Sequence, residues 1–366
     1  MKKIFFLSLL LLNIVQALAC TSGIFTGSCT TDGRPLLWKH RDTGELDNRI
    51  EWFPAVNGRK YGFLALVNSS SPGGEAWTGT NEVGFSIMNT ASYNLQSEKA
   101  VIEDQEGVVM YKALASCRNL RDFERLLDKL PRPLGVEANF GVIDAEGGAA
   151  YYEVNNTTWV KVDVNDPAIA PEGFLIYTNH SRTGRKDEGM GYIRYETANI
   201  ITHQAWIQGV KFSPQWIFNN LSRSYYHSLL GIDLLRNPEL APNGWFIDQD
   251  FIPRGTTSAS IVIKGVEKGQ NPLNTVMWTI LGYPACGVAV PLYAADGPNQ
   301  PEGVLKRADS NNCRLCDEAL ARRAEVFSLS RGNGKRYFNI DKVRYFMELL
   351  APEEEKNFRD SGSSPE

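Results

Sequence analysis

Cys20 is the residue of this sequence whose position could give it the most reactive side chain, because a single cleavage after Ala19 would make it the first residue of the chain. A terminal cysteine carries a thiol and a free α-amine together. The α-amine has a reference pKa of roughly 7.7 to 8.0, so it can take the proton of the thiol at neutral pH. Nucleophile and base then belong to one residue, and the chemistry that this predicts is attack on a carbonyl carbon.

Residues 1–19 have the pattern of a secretory signal peptide. Lys2 and Lys3 form a basic head, an apolar run extends from Ile4 to Val15, and small residues precede Cys20. The run is shorter than the roughly 20 residues that cross a bilayer, which disfavours a membrane anchor. We expect cleavage after Ala19 and export to the periplasm or out of the cell.

The same cleavage site leaves an alternative open. Residues 17–20, Ala-Leu-Ala-Cys, are similar to a lipoprotein box, in which Cys20 would be lipidated and its amine blocked. The protein would then be a lipid-anchored protein that binds a ligand. The large apolar residue usual at the first box position is replaced by Ala17.

Composition excludes several kinds of partner. The net charge of -4 and the pI of about 5.8 do not provide the basic surface that nucleic acid requires. After residue 19 no segment is long and apolar enough to span a membrane. We predict one large domain over residues 20–352 that acts on a small molecule without a cofactor, and a disordered tail over residues 353–366. The oligomeric state has no signal in the sequence.

The remaining cysteines do not indicate a metal site. Of the six cysteines, Cys313 and Cys316 form the one close pair, for which a disulfide or two free thiols is the simplest interpretation; a redox motif and half of a zinc site are the alternatives. Zinc would need a second pair of cysteines or histidines at suitable spacing, and the sequence has none.

A β-hairpin is predicted to bring charged side chains to Cys20. The segments 20–31 and 35–42 flank a turn with Asp32 and Gly33, which is a strong hairpin signal. The far ends of two hairpin strands are neighbours, so Lys39, Arg41 and Asp42 would lie beside the new amino terminus. A carboxylate there would hold the amine, and a cation would favour the thiolate.

Further strands and helices alternate along the chain. Strands are predicted at 61–67, 85–89, 139–154 (a hairpin), 175–180, 256–263 and 275–281, and helices at 106–130, within 192–230 and over most of 305–350. Two groups of strands with helices between and after them predict an α+β layered domain.

An ordered set of residues resembles the cysteine N-terminal nucleophile hydrolases. The set consists of Cys20 at a processed terminus, Asp42 at the end of the first hairpin, Asn89 at the end of a strand, and Asn179 within Thr178-Asn179-His180. The nearest group by this pattern is that of choloylglycine hydrolase, penicillin V acylase and isopenicillin N acyltransferase. The resemblance covers residues 20 to about 292 and implies a four-layer αββα sandwich.

The resemblance also implies roles for these residues. Cys20 would be the nucleophile, Asp42 would orient its amine, and Asn179 would help to form the oxyanion hole with Asn89 as its partner there or in substrate binding. Many members of the family have an arginine three residues before the aspartate, where this chain has Lys39; Arg41 is therefore a second candidate for the cation near the thiol. Arg254 is a looser match to a later arginine of the family.

The activity implied is cleavage of a linear amide C–N bond in an N-acyl compound through a thioester acyl-enzyme. Transfer of the acyl group to another amine is the alternative outcome of the same chemistry. Bile-salt conjugates, penicillins and N-acyl amino acids are all candidate substrates.

Overall fold

A computed structural model describes residues 19–95 and 104–362. The signal peptide, except Ala19, lies outside the described residues. In chain order the strands are β1 (Thr21–Phe25), β2 (Leu36–Asp42), β3 (Asn48–Phe53), β4 (Phe63–Asn68), β5 (Thr78–Asn81), β6 (Ser86–Ala91), β7 (Ala138–Ile143), β8 (Ala149–Val154), β9 (Trp159–Asp163), β10 (Phe174–Tyr177), β11 (Tyr226–His227), β12 (Ile232–Asp233), β13 (Trp245–Ile247), β14 (Thr257–Lys264), β15 (Val276–Leu281), β16 (Val290–Tyr293) and β17 (Tyr337–Asn339). The α-helices are α1 (Glu106–Ser116), α2 (Leu120–Lys129), α3 (Tyr192–Ile207), α4 (Pro214–Ile217), α5 (Arg314–Val326) and α6 (Ile340–Gly362).

Two large antiparallel sheets form the centre of the molecule. One has six strands in the order β10-β1-β2-β14-β15-β16, and the other has seven in the order β3-β4-β5-β6-β7-β8-β9. The strand β2 packs across the interface against β6 and β7. Since β1 and β2 are interior strands of the six-stranded sheet, residues at their ends are surrounded by protein on several sides.

Helices cover the outer face of each sheet. On the seven-stranded sheet, Phe123 of α2 makes edge-to-face contacts with Phe140 and Tyr152. On the six-stranded sheet, Trp38 and Phe25 share a cluster of buried residues with α3 and α4. The order helix, sheet, sheet, helix confirms the predicted αββα sandwich.

The strand β2 shows why the layers form. Leu37 belongs to the cluster between the sheets, whereas Leu36 and Trp38 belong to the cluster under the helices, as the alternation of side chains along a strand requires. By the same alternation Lys39 and Arg41 face the second sheet, and Asp42 faces the helix layer. All seven residues of β2 are buried, so its charged side chains must find partners inside the protein.

The predicted hairpin is confirmed with a longer connection. The strands β1 and β2 pair antiparallel, with Thr21 opposite His40 and Phe25 opposite Leu36. The turn at Gly33, whose φ is 76°, is preceded by a short 3-10 helix at Gly27–Cys29. The chain therefore makes a wider loop than a two-residue turn, without changing which ends of the strands meet.

Several elements differ from the sequence prediction. The helix expected over 106–130 is two helices, α1 and α2, separated by residues 117–119, and the second helix expected within 192–230 is the short α4 followed by a π-helical turn. The strands β3, β5, β9, β11, β12, β13 and β16 were not predicted, and β11 lies in the segment predicted to be helical. The region 305–350 contains α5 and the start of α6 but also β17.

The predicted disordered tail is wrong for residues 353–362, which are the second half of α6. Glu354 is buried in an ion pair with Arg223, with an N–O distance of 2.7 Å. Phe358, one turn later, stacks on Trp278 at 4.1 Å between ring centres. An acidic stretch after Pro352 resembles a solvated tail in composition, but these two inward residues at i and i+4 fix it to the sheet.

Candidate active site

Cys20 lies at the start of β1 and is buried, with 6% of its surface exposed. Its Sγ is 3.9 Å from the main-chain oxygen of Asp42. Thr21, the next residue, pairs with His40 of β2. The hairpin therefore places Cys20 beside the end of β2, where the sequence analysis expected the charged residues.

The Asp42 carboxylate is held on both oxygens. Oδ2 accepts hydrogen bonds from Nε and Nη2 of Arg254 at 2.9 and 2.7 Å, and Oδ1 accepts one from the Thr257 hydroxyl at 2.6 Å. Arg254 also donates to the Ala19 carbonyl at 2.8 Å. The carboxylate thus lies fixed next to the peptide bond that is predicted to be cut.

Two further effects of charge act around Asp42. Burial by itself would lower the pKa of Arg254, but the Asp42 carboxylate reverses this and the pKa is raised. His40, whose Nε2 is 3.9 Å from Asp42 Oδ1, has its pKa lowered to about 4 by burial despite that carboxylate. His40 is therefore neutral at pH 7, and the positive partner of Asp42 is Arg254.

Arg194 of α3 is a site residue that the sequence analysis missed. Its Nη1 donates to the Cys20 carbonyl and to the Thr21 hydroxyl, both at 2.7 Å, and its Nη2 donates to Asn179 Oδ1 at 2.7 Å. Burial and the neighbouring Arg254 lower the pKa of Arg194 to about 9. One guanidinium thus joins the main chain of Cys20 to the asparagine that follows β10.

Asn179 has a fixed amide orientation. Since Oδ1 accepts from Arg194, the nitrogen of the amide is identified, and it donates to the Ala91 carbonyl at 2.8 Å. Asn179 is fully buried and its main chain pairs with that of Met190, so the side chain has a rigid base.

Lys39 donates a hydrogen bond to Asn89 and lies near the thiol of Cys20. Its Nζ donates to Asn89 Oδ1 and to the Trp77 carbonyl, both at 2.5 Å. Burial lowers the pKa of Lys39 to about 7. A charge on Cys20 opposes this shift, and the neighbouring Arg41 adds to it. In this structure Asn89 is the partner of Lys39, on the sheet that faces Cys20.

Arg41 is the second cation near the thiol. Its Nη2 donates to Asn68 Oδ1 at 2.7 Å, and its guanidinium lies over the Trp77 ring at 5.0 Å. Burial lowers the pKa of Arg41 to about 10, and a charge on Cys20 raises it. Lys39 and Arg41 therefore both lie close enough to Cys20 for a charge on that residue to raise their pKa values.

Glu106, the first residue of α1, is a second residue that the sequence analysis did not single out. It is buried, and its Oε1 accepts a hydrogen bond from the Glu137 amide at 3.2 Å. Burial raises its pKa, and a hydrogen bond with Asp104 adds to the rise. Its charge acts on Lys39, and its only signal in the sequence is its place at the start of a helix.

Cys313 and Cys316 lie at the start of α5 and are both buried as free thiols. Cys313 donates to the Asn48 carbonyl and Cys316 to the Leu46 carbonyl. Within residues 19–95 and 104–362, no three His, Cys, Asp or Glu side chains are grouped so that they could hold a metal ion. Over the same residues no helix is long and apolar enough to cross a membrane.

The molecule is a four-layer αββα sandwich with a cysteine at the start of an interior strand, and solved structures of this architecture are similar to it. An N-acylethanolamine-hydrolyzing acid amidase ortholog from Caenorhabditis elegans has a TM-score of 0.44 and 13% identity, over 67% of this chain and 92% of its own. A mutant of conjugated bile acid hydrolase from Clostridium perfringens has a TM-score of 0.41 and 13% identity, over 72% and 89%. Penicillin V acylase from Agrobacterium tumefaciens has a TM-score of 0.41 and 13% identity, over 75% and 86%. No family model matches the sequence, and no curated protein matches it.

Proposed function

We propose that this protein is an exported amidohydrolase that cleaves a linear C–N bond of an N-acyl compound with Cys20 as its amino-terminal nucleophile. The observation that carries the proposal is the position of Arg194, which bonds both the Cys20 carbonyl and the Asn179 amide oxygen. Two residues that are far apart in the sequence are thereby held in one fixed arrangement. A nucleophile and an oriented amide donor are the two parts that acyl transfer requires.

Cleavage after Ala19 would complete the site. The Ala19 carbonyl, which now accepts a hydrogen bond from Arg254, would leave with the signal peptide, and the α-amine of Cys20 would appear close to Asp42. The carboxylate would orient that amine, and Lys39 and Arg41 would favour the thiolate.

The reaction proceeds in two halves. The Cys20 thiolate attacks the amide carbonyl, and the negative oxygen that forms accepts a hydrogen bond from the Asn179 amide. A donor of this kind is worth on the order of 3 kcal/mol. The C–N bond breaks as the α-ammonium of Cys20 protonates the departing amine. Water, deprotonated by the same amine, then hydrolyses the thioester and releases the acid.

The burial of Cys20 supports this proposal over a lipid anchor. With 6% of its surface exposed and its Sγ against the Asp42 carbonyl, Cys20 lies inside the fold. A diacylglyceryl anchor on that sulfur would have to extend out of the fold to reach a membrane, whereas a substrate has only to enter the site.

The mature amino terminus and the activity of Cys20 variants test the proposal. We expect mass spectrometry of the exported protein to show an unmodified Cys20 as the first residue, and amine release from at least one of bile-salt conjugates, penicillin V and N-acyl amino acids. Cys20→Ala should abolish this release, and Cys313→Ser, which changes a buried thiol elsewhere, should retain it. A diacylglyceryl adduct on Cys20, or equal amine release by wild type and Cys20→Ala, would refute the proposal.

A further inference from the structure

Arg41 is a buried cation whose partners in the structure are all neutral. Only 4% of its surface is exposed. It donates to Asn68 Oδ1 at 2.7 Å and to the Ser258 hydroxyl at 3.4 Å, and it lies over Trp77. Among residues 19–95 and 104–362 no carboxylate approaches the guanidinium within 4.0 Å. A guanidinium has five N–H donors, and these two bonds use two of them.

The surroundings of Cys20 contain more positive than negative charge at short range. Lys39 and Arg194 are also buried, and in the described part of the chain neither forms an ion pair with a carboxylate. The nearby Asp42 carboxylate is occupied by Arg254 and Thr257. A Cys20 thiolate can balance one cation, which leaves at least one without a counterion.

More distant acids offset this excess only in part. Glu45, Asp104 and Glu75 raise the pKa of Arg41 through space, yet burial outweighs them and the pKa falls to about 10. A buried charge without an ionic partner is costly, because the protein does not replace the water that solvated it. A bound anion would offset that cost.

We infer that the substrate carries a carboxylate and that Arg41 binds it. This inference rests on the proposed amidohydrolase function and deepens it. The planar guanidinium matches a carboxylate through two parallel hydrogen bonds. Arg41 immediately precedes Asp42, whose carbonyl contacts the Cys20 thiol, so we expect the carboxylate on a part of the substrate close to the amide that is cleaved.

Two kinds of substrate place a carboxylate there. It belongs either to the departing amine, as in an N-acyl amino acid, or to the acyl part, as in the monoamide of a dicarboxylic acid. The neutral N-acyl amines lack the group and would leave Arg41 without an ionic partner, so the site should discriminate against them.

Matched substrates test the inference on the processed full-length protein. The first pair is hexanoylglycine and hexanoylethanolamine, which differ in the carboxylate of the amine part. The second is the glutaryl and pentanoyl amides of one chromogenic amine, which differ in the carboxylate of the acyl part. We expect wild type to have a higher kcat/KM for the carboxylate in at least one pair, and the pair that shows it identifies the side of the amide on which the group lies.

Substitution of Arg41 tests whether this residue causes the preference for substrates with a carboxylate. The ratio of kcat/KM values, carboxylate over neutral, should fall about 10- to 100-fold in Arg41→Gln, the loss expected for hydrogen bonds to a charged group. Arg41→Lys should recover part of the ratio, because lysine keeps the positive charge but lacks the planar pair of N–H donors of a guanidinium. The control Arg118→Gln, at an exposed arginine whose side chain is 59% exposed, should keep it. Circular dichroism checks that each variant is folded.

Failure of this inference can be distinguished from failure of the proposed function. If neutral amides are cleaved as well as their carboxylate counterparts, or if Arg41→Gln lowers both members of a pair equally, Arg41 does not bind substrate although the enzyme is an amidohydrolase. If no amide is cleaved, calorimetry with hexanoylglycine and with glutaric acid tests Arg41 alone. Binding to the Cys20→Ala variant that is lost when Arg41→Gln is added supports the inference. Absence of binding, or binding that Arg41→Gln leaves unchanged, overturns it.

Discussion

At the scale of single residues, the chemistry of the site depends on cations that have been removed from water. Lys39 is fully enclosed, and its amine is held by one side-chain oxygen and one main-chain oxygen. An arginine in its place would keep its charge to a higher pH than a buried lysine does. The choice of Lys39 therefore makes the electrostatic surroundings of Cys20 sensitive to pH.

The pH dependence of activity should change in Lys39→Arg. The pKa of Lys39 is lowered to about 7 by burial, so the wild-type side chain loses its proton, and with it the positive charge near Cys20, as the pH rises through that value. We expect kcat/KM of wild type to fall on the alkaline side and that of Lys39→Arg to persist to higher pH. The exposed Lys60→Arg serves as control and should keep the wild-type profile. Coincident profiles for wild type and Lys39→Arg would show that Lys39 does not set the alkaline limit.

At the scale of elements, each strand or helix of the site supplies one or two residues at its end. Cys20 precedes β1, Asp42 ends β2, Asn179 follows β10, and Arg194 comes from the first turn of α3. Residues at element ends can face a common space while the sheet holds their main chains. The helix α6 does not reach the site, but it covers the same six-stranded sheet that carries Cys20.

The attachment of α6 can be measured through Glu354. Its carboxylate accepts from both terminal nitrogens of Arg223 at 2.7 Å and from the Ala289 amide at 2.8 Å. Removing one partner of a buried ion pair leaves the other charge uncompensated, so Glu354→Gln should lower the free energy of unfolding by about 3 kcal/mol in urea titrations. Glu353→Gln, the exposed neighbour, should change it by less than about 0.5 kcal/mol. Equal effects of the two substitutions would mean that α6 is not fixed through Glu354.

At the scale of the whole molecule, the site exists because two sheets face each other. Ser22, two residues after Cys20, forms a hydroxyl hydrogen bond at 3.1 Å with Tyr151 of the seven-stranded sheet. The Tyr151 ring stacks on Tyr177 of the six-stranded sheet at 4.0 Å. These contacts between layers hold the strand that follows Cys20 at a fixed distance from the sheet that carries Asn89.

A double-mutant cycle measures this contact between the sheets. We expect Ser22→Ala and Tyr151→Phe to be non-additive, with a coupling free energy of about 1 kcal/mol in urea unfolding, as for one buried neutral hydrogen bond. The control cycle combines Ser22→Ala with Ser116→Ala on the outer helix α1, where additive effects are expected. Additivity in the first cycle would contradict the contact.

Local pattern was sufficient for much of the fold. The alternation of side chains and the turn around Gly33 predicted the first hairpin, and its strand ends place Asp42 next to Cys20 as expected. Short strands without a clear alternation, such as β5 with the sequence Thr-Gly-Thr-Asn, were missed. Their strand conformation is imposed by pairing with neighbours on both sides.

The sequence by itself indicated which residue could be reactive and the order of the elements around it, because a predicted cleavage site, a hairpin and a strand end are patterns of consecutive residues. Only the tertiary structure decided which charges meet. Arg194 is 174 positions from Cys20 and Arg254 is 212 from Asp42. No local pattern marks Arg194, and Arg254 was a candidate only through the family resemblance, which did not name Asp42 as its partner. Burial then changes what these charges do, since a cation enclosed between packed layers exchanges water for a few protein oxygens, and that environment exists only once the layers have packed.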